Sequence, residues 1–199
     1  MRLTTGTERK ETDDQEVRKA QRGDPKAFAS IVRRYLPLVV SVAYSMVGDT
    51  HVAEDMAQET FHKAYRRLGT LRDPKRIGAW LHGIARTTSI DWLRKRRGRP
   101  LTVTDLSRLP GEVASEDDPP DAAALREEEK GIVRKILFEL PENHREVLIL
   151  KHMRDLPYAE VASFLGTTVA AVESLLFRAR AAFKEKLKRH GIGPTRPSE

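Results

Sequence analysis

Apolar side chains in this chain recur at intervals of three and four residues and almost never alternate, so helices must supply its core. Asp24-Pro25 reads as an N-cap followed by proline at the first helical position, and Phe28, Ile31, Val32 and Tyr35 follow at helical spacing. Gly48-Asp49 breaks that run. From about Val52 to Leu68, the residues Ala57, Phe61, Ala64, Tyr65 and Leu68 form one stripe, and Asp55, Gln58, Glu59 and His62 form the opposite face. A third long helix is predicted from about Pro74 to Arg97, with Trp80, Ile84, Thr87, Thr88, Asp91 and Trp92 in register. Only Leu101 to Thr104 alternates with β-branched residues. The predicted fold class is all-α.

The second half continues the pattern. A helix over 122–140 stops at Leu140-Pro141, and Glu142 to His152 follows with Val147, Leu148 and Leu150 apolar. Two shorter helices, Tyr158 to Leu165 and Val169 to about Lys188, are separated by Gly166-Thr167-Thr168. That is the pattern of a helix-turn-helix, in which glycine permits the sharp turn, Thr168 caps the second helix, and Val161, Leu165, Val172 and Leu176 share a core. A plain bundle of three or four helices fits the same spacing.

Charge divides the chain more sharply than hydropathy does. The formal net charge is +7, yet residues 62–99 carry 12 basic side chains against 2 acidic, while 100–129 carry 2 against 9. The acidic stretch also holds Pro100, Pro110, Gly111, Pro119 and Pro120, which marks a linker. The expected organisation is a flexible N-terminus over 1–19, a unit over 20–98, a flexible acidic linker over 99–121 that lets the units separate, a unit over 122–190, and a tail over 191–199. The basic excess points to an anionic partner such as nucleic acid.

Other chemistries find no support. Cysteine is absent, which excludes disulfides, thiolate metal sites and a cysteine nucleophile. His51, His62, His82, His144, His152 and His190 lack metal-ligand spacing, no phosphate-binding glycine loop or nucleophile elbow is present, and no cofactor is expected. A carboxylate–imidazole site at His51, Glu54 and Asp55 has no further ligands. The longest apolar run, Leu36 to Gly48, is interrupted by serines and too short to span a bilayer, and the polar N-terminus is no signal peptide. A cytoplasmic, non-enzymatic protein without membrane insertion is expected.

Three blocks in fixed order, AEDMAQETF (Ala53 to Phe61), AWLHGIARTTSIDWLRKRR (Ala79 to Arg97) and LPENHREVLILKH with LPYAEVASFLG (Leu140 to Gly166), resemble the extracytoplasmic function sigma factors of bacteria. The resemblance spans about residues 20 to 188. It implies a region 2 over 20–98, which grips core RNA polymerase (β and β′ subunits) and opens the −10 element of promoter DNA, and a region 4 over 122–190, which reads the −35 element. It also implies an anti-sigma factor as a further partner, and no enzyme activity. Asp55, Gln58 and Glu59 fall where the family docks on an arginine-bearing coiled coil of β′, and two carboxylates and an amide suit guanidinium partners. The alternative for that face is a solvated helix surface.

Arg66, Arg67, Arg72, Lys75 and Arg76 before the third helix, and Arg94, Arg96 and Arg97 at its end, are the candidate −10 contacts, since a phosphate backbone needs such a cluster. Part of the terminal cluster serves as helix capping, but five basic residues in the six positions 94–99 exceed what capping needs. Base selection is expected near Gly69 to Lys75. Trp80 reads as core; Trp92 reads either as core or as a stacking platform.

Two departures from the family stand out. Thr87 replaces a common asparagine, and Ala170, Ala171, Glu173 and Leu175 occupy a run that is usually more basic. The −35 candidates are therefore Thr168, Ala171, Glu173, Ser174, Arg178 and Arg180, with Glu173 reading a cytosine amino group or merely pairing on the surface. The competing function is a stand-alone helix-turn-helix regulator that binds duplex DNA without polymerase. Promoter sequence, regulon and inducing signal lie beyond what the residues specify.

Overall fold

The protein is described by a computed structural model, which covers residues 6–96 and 130–190. Within these it is all-helical: α1 (Gly6–Gln21), α2 (Pro25–Val47), α3 (Thr50–Arg67), two 3₁₀ turns (Leu68–Thr70 and Pro74–Arg76), α4 (Ile77–Arg96), α5 (130–138), α6 (Glu142–Leu148) running into a π-turn (Ile149–Met153), α7 (Tyr158–Leu165) and α8 (Val169–Arg189). The 99–121 linker with its Leu101 to Thr104 alternation, Arg97, the start of the 122–140 helix and the 191–199 tail lie outside the described residues.

Local signals set the boundaries. Asp24 accepts from the backbone of Lys26 and Ala27 and opens α2 with Pro25 at its first position. Gly48 closes the helix at φ 77°, where its N–H reaches Tyr44 O and a side chain would be strained. Asp49 then caps α3 through Val52 N. By length and composition α2 could cross a membrane, but Val39, Val42, Ala43 and Tyr44 are fully buried and α1, α3, α4 and α6 all pack on it. It is the central helix of the core.

Residues 6–19 do not form the flexible N-terminus expected of them. They fold as most of α1, and the reason is a polar anchor that no apolar pattern reveals. Asp13, 2 % exposed, accepts from the Tyr35 hydroxyl at 2.6 Å and pairs with Arg34. At the other end Gln21 Nε2 donates to Leu68 O and Leu71 O at 3.0 and 2.9 Å, so α1 also braces the loop that precedes α4. Asp13→Asn leaves Arg34 without its counter-charge and is expected to cost about 2–3 kcal/mol. Urea unfolding reads it; a loss below ~0.5 kcal/mol would remove the anchor from the fold.

The two units do not stand apart. Phe164 of α7, 2 % exposed, stacks on Tyr35 at 6.3 Å between centroids and meets His82 edge-on at 5.6 Å. Gly78 on α4 admits this contact, since a Cβ there would lie 3.1 Å from the Tyr35 ring. Phe138 packs edge-on against buried Tyr44, and Arg154 Nε reaches Ser41 Oγ at 3.0 Å. One apolar core therefore runs through both halves.

Several side chains sit differently from their expected places. In α3 the buried stripe holds Ala57, Phe61 and Ala64, with buried Leu68 just past its end, while Tyr65 is 54 % exposed because it falls one position off that stripe. In α4 the buried residues are Ile77, Gly78, Leu81, Ala85, Thr88 and Ser89, and the predicted register of Trp80, Ile84 and Trp92 is only half-buried along its flank. Small residues let α4 approach its neighbours closely, which displaces the larger ones to the edge. In α7 it is Phe164, more than half-buried Leu165, that enters the core.

Candidate functional site

On α3, Asp55, Gln58, Glu59 and His62 are all exposed on one face, as the periodicity predicts. With Phe28, Phe61 and Tyr65 they line an open groove of about 610 Å³ between α2 and α3. Phe28 and Tyr65 meet edge-on at 5.0 Å and form its apolar wall. Glu59 is partly engaged by Lys63 at 3.7 Å, and Lys63 also reaches Thr88 Oγ1 at 3.2 Å. The groove thus offers carboxylates beside exposed aromatic carbon, a surface for a cationic, amphipathic partner. Sequence reasoning found the carboxylates and missed Phe28 and Tyr65. Strict stripe arithmetic would have flagged Tyr65, which lies about 100° around the helix from Ala64.

Of the cations before α4, Arg72 and Arg76 come together. Arg72 and Arg76 line a cleft of about 330 Å³ with Thr70, Leu71, Asp73, Ala79 and Trp80. Asp73 caps the 3₁₀ turn through Lys75 N, which leaves the Lys75 and Arg76 side chains exposed. Trp80, expected as core, is instead a wall of this cleft. Arg66 and Arg67 are exposed at the end of α3. The cations at the far end of α4 form a separate patch, about 27 Å along the axis from Arg76 at 1.5 Å per residue. There Arg94 pairs with Asp91 at 3.8 Å and Arg96 lies 4.8 Å over the half-buried Trp92 ring. Thr87 is exposed, but its hydroxyl donates to Gly83 O at 2.9 Å on its own helix.

In the second unit α7 and α8 meet at 102° around Gly166, which adopts φ 69°. That is helix-turn-helix geometry. Thr168 Oγ1 accepts from Ala171 N at 3.2 Å, so it is engaged as the cap of α8. Val172, Leu176 and Ala179 are buried, which leaves Ala171, Glu173, Ser174, Arg178 and Arg180 on the exposed face, all five as expected. Among the described residues Glu173 makes no ion pair. Leu175 is half-buried against the core. Phe177 was missed: it is 76 % exposed, one step off the buried stripe and one turn beyond Glu173. Arg180 Nη2 lies 3.5 Å from His152 Nε2. Partial desolvation, with the Arg180 and Lys151 charges beside it, lowers the pKa of the exposed His152 imidazole from its ordinary value.

Comparison with known proteins adds an independent line. Residues 31–99 match the family described as Sigma-70 region 2, and residues 130–183 match Sigma-70, region 4. The RNA polymerase sigma-H factor of Pseudomonas aeruginosa is 36% identical over 183 residues, covering 89% of this chain and 95% of that protein. The ECF RNA polymerase sigma-E factor of Escherichia coli K12 is 33% identical, with the same coverages of 89% and 95%. Among solved structures, the sigma factor RpoE in complex with the anti-sigma factor NepR from Bartonella quintana superimposes with a TM-score of 0.53 and 26% identity, covering 82% of this chain and 98% of that one.

Proposed function

The chain belongs to the sigma-70 family of RNA polymerase sigma factors, in its extracytoplasmic function group, and on that premise we propose that it initiates transcription by docking on core polymerase and directing it to promoters. In this reading the α3 groove, with Asp55, Gln58, Glu59, Phe28 and Tyr65, receives the arginine-bearing coiled coil of β′. The cleft of Arg72, Arg76 and Trp80 takes an unpaired base of the −10 strand, while Arg66, Arg67 and Lys75 on one side, and Arg94 and Arg96 on the other, hold phosphates. The α8 face reads the −35 duplex, with Arg178 and Arg180 on the backbone, Glu173 accepting from a cytosine amino group, and Phe177 against a thymine methyl. Melting is driven by binding, with bases exchanged from the stack into protein contacts. The protein acts by association, not catalysis, it works in the cytoplasm where polymerase is, and an anti-sigma factor is its class of inhibitor.

The observation that carries this reading is the acidic and aromatic groove on α3, exposed in the same chain as a helix-turn-helix. A stand-alone regulator has no use for it. Run-off transcription with core polymerase and a library of genomic promoter fragments tests it directly: specific transcripts are expected, and none from any template would return the chain to the stand-alone class. In the same assay Glu173→Lys is expected to change preference at one −35 position by roughly ten-fold, about 1–3 kcal/mol for one base contact. An unchanged profile would make Glu173 a plain surface residue.

A further inference from the structure

Along the seam between α2 and the second unit, two arginines are buried without a counter-charge. Arg134 of α5 is 6 % exposed, and Arg145 of α6 is half-buried. Both are set around one ring. Phe138 lies one turn after Arg134 on the same face of α5, the Arg145 guanidinium carbon sits 4.3 Å over its centroid, and Tyr44 meets it edge-on at 5.7 Å. Tyr44 is fully buried on α2 and brings its hydroxyl to both cations: burial raises its pKa, and the Arg134 and Arg145 charges oppose that rise.

Donors outnumber acceptors here. Arg145 Nη2 reaches Leu140 O at 3.5 Å, whereas Arg145 Nε, Arg134 Nε and the Tyr44 hydroxyl, all shielded from solvent, find no acceptor in the protein. The two carboxylates whose charges reach the cluster are committed elsewhere: Glu142 pairs with Arg86 Nη2 at 2.5 Å, and Asp49 caps α3 through Val52 N at 2.8 Å. Among the described residues neither Arg134 nor Arg145 makes an ion pair. Arginine does not shed its proton, so both charges stand. An unpaired buried charge is costly, and an anion removes that cost where water, which offers acceptors without charge, does not.

We propose that Arg134, Arg145 and Tyr44 form a binding site for a small phosphate-class anion, either free orthophosphate or the phosphate of a nucleotide. Two guanidinium edges and a phenol match a tetrahedral dianion, which has several acceptor oxygens and enough charge to balance both arginines; chloride or a carboxylate balances only one. Depth excludes duplex DNA, whose phosphates cannot reach a side chain as buried as Arg134. The site uses none of the residues assigned to promoter or polymerase contact, so it stands apart from the sigma-factor reading.

Thermal unfolding of the full chain reads the site when orthophosphate replaces chloride at constant ionic strength. A saturable rise in Tm is expected, since a ligand of the folded chain alone stabilises it. Arg134→Met/Arg145→Met is expected to weaken the phosphate midpoint roughly a hundred-fold, through loss of two charge-assisted hydrogen bonds, and Tyr44→Phe about five-fold. Lys184→Gln/Lys188→Gln removes as much charge from the exposed surface of α8 and is expected to leave the midpoint unchanged. Without phosphate, Arg134→Met is expected to be at least as stable as the unsubstituted chain, because it deletes an uncompensated charge; with saturating phosphate it is expected to be the less stable of the two. Equal destabilisation in both buffers makes Arg134 a packing residue and overturns the site, as does the absence of any saturable response.

A second measurement needs no folded methionine variant. Two arginine Nε–H NMR signals of the unsubstituted chain, assigned through Arg134→Lys and Arg145→Lys, are expected to move with the same midpoint as the thermal response. Signals that stay in place overturn the site whatever the Tm does. Acetate and adenosine monophosphate complete the titration. A response to acetate equal to that of orthophosphate overturns the phosphate class. A midpoint for adenosine monophosphate ten-fold or more below that of orthophosphate assigns the site to a nucleotide, and an equal or weaker one assigns it to the free anion.

Discussion

Replacing Asp55 and Glu59 together by arginine is expected to abolish capture of core polymerase at concentrations where the unsubstituted chain binds fully. Each carboxylate would be replaced by a like charge facing a cationic partner, a juxtaposition that costs several kcal/mol in a desolvated contact. About 3 kcal/mol over both positions is a conservative sum and corresponds to roughly a hundred-fold in affinity. Both residues are exposed and neither anchors the core, so thermal stability is expected to move little. Because the substitution adds positive charge, affinity of the free protein for duplex DNA at low salt is expected to hold or rise. That opposite sign separates a lost protein contact from a damaged fold. If the double variant binds core normally, the α3 groove is a solvated surface and the docking site lies elsewhere.

A single replacement within the same groove sharpens the point. Tyr65→Ala removes exposed aromatic carbon without touching charge. The carboxylates and the ring line the same groove, so the groove reading assigns both to the same partner. A weakened complex from each, by different chemistry, would map the footprint.

How far the residues announced all this depends on what kind of signal each element used. Elements with local instructions were fully legible: Asp24-Pro25 and Gly48-Asp49 set both ends of α2, and Gly166 with Thr168 set the corner between α7 and α8. Polar and charged residues with no buried partner were equally legible, and Asp55, Gln58, Glu59, Glu173, Arg178 and Arg180 are all exposed. Polar contacts between distant segments were not. Asp13 and Tyr35 are 22 positions apart, and His82 and Glu146 are 64 apart; no periodicity joins them. The same blindness hid the packing of one unit on the other, since an acidic linker argues for separation while Phe164 argues against it only once Tyr35, Gly78 and His82 are seen around it. Exposed aromatics were the last class missed. A helical stripe places a residue to within about one position, and Tyr65 and Phe177 each fall just outside the buried arc.

Phe164 therefore supplies the other large effect. Its ring is 2 % exposed and lies against Tyr35 and His82 of the first unit, so Phe164→Ala removes a full aromatic side chain from one of the places where the two units join. Such truncations cost about 3–5 kcal/mol in a close-packed interior. Here the loss has two outlets. The unit over 6–96 keeps its own buried residues on α2, α3 and α4, and the helix-turn-helix keeps Val161, Val172 and Leu176. Neither unit needs the other for most of its core, and the missing ring weakens the joint more than either part. Urea unfolding of Phe164→Ala is accordingly expected to split one cooperative transition into two, the second unit going first, with a smaller m value for each. Leu165→Ala, at a half-buried neighbour, is expected to lower stability by only about 1–2 kcal/mol and to keep a single transition. A single transition in Phe164→Ala with an unchanged m value would show that the ring belongs to the second unit's core alone. The seam would then rest on its other contacts, among them Phe138 against Tyr44 and Arg154 on Ser41.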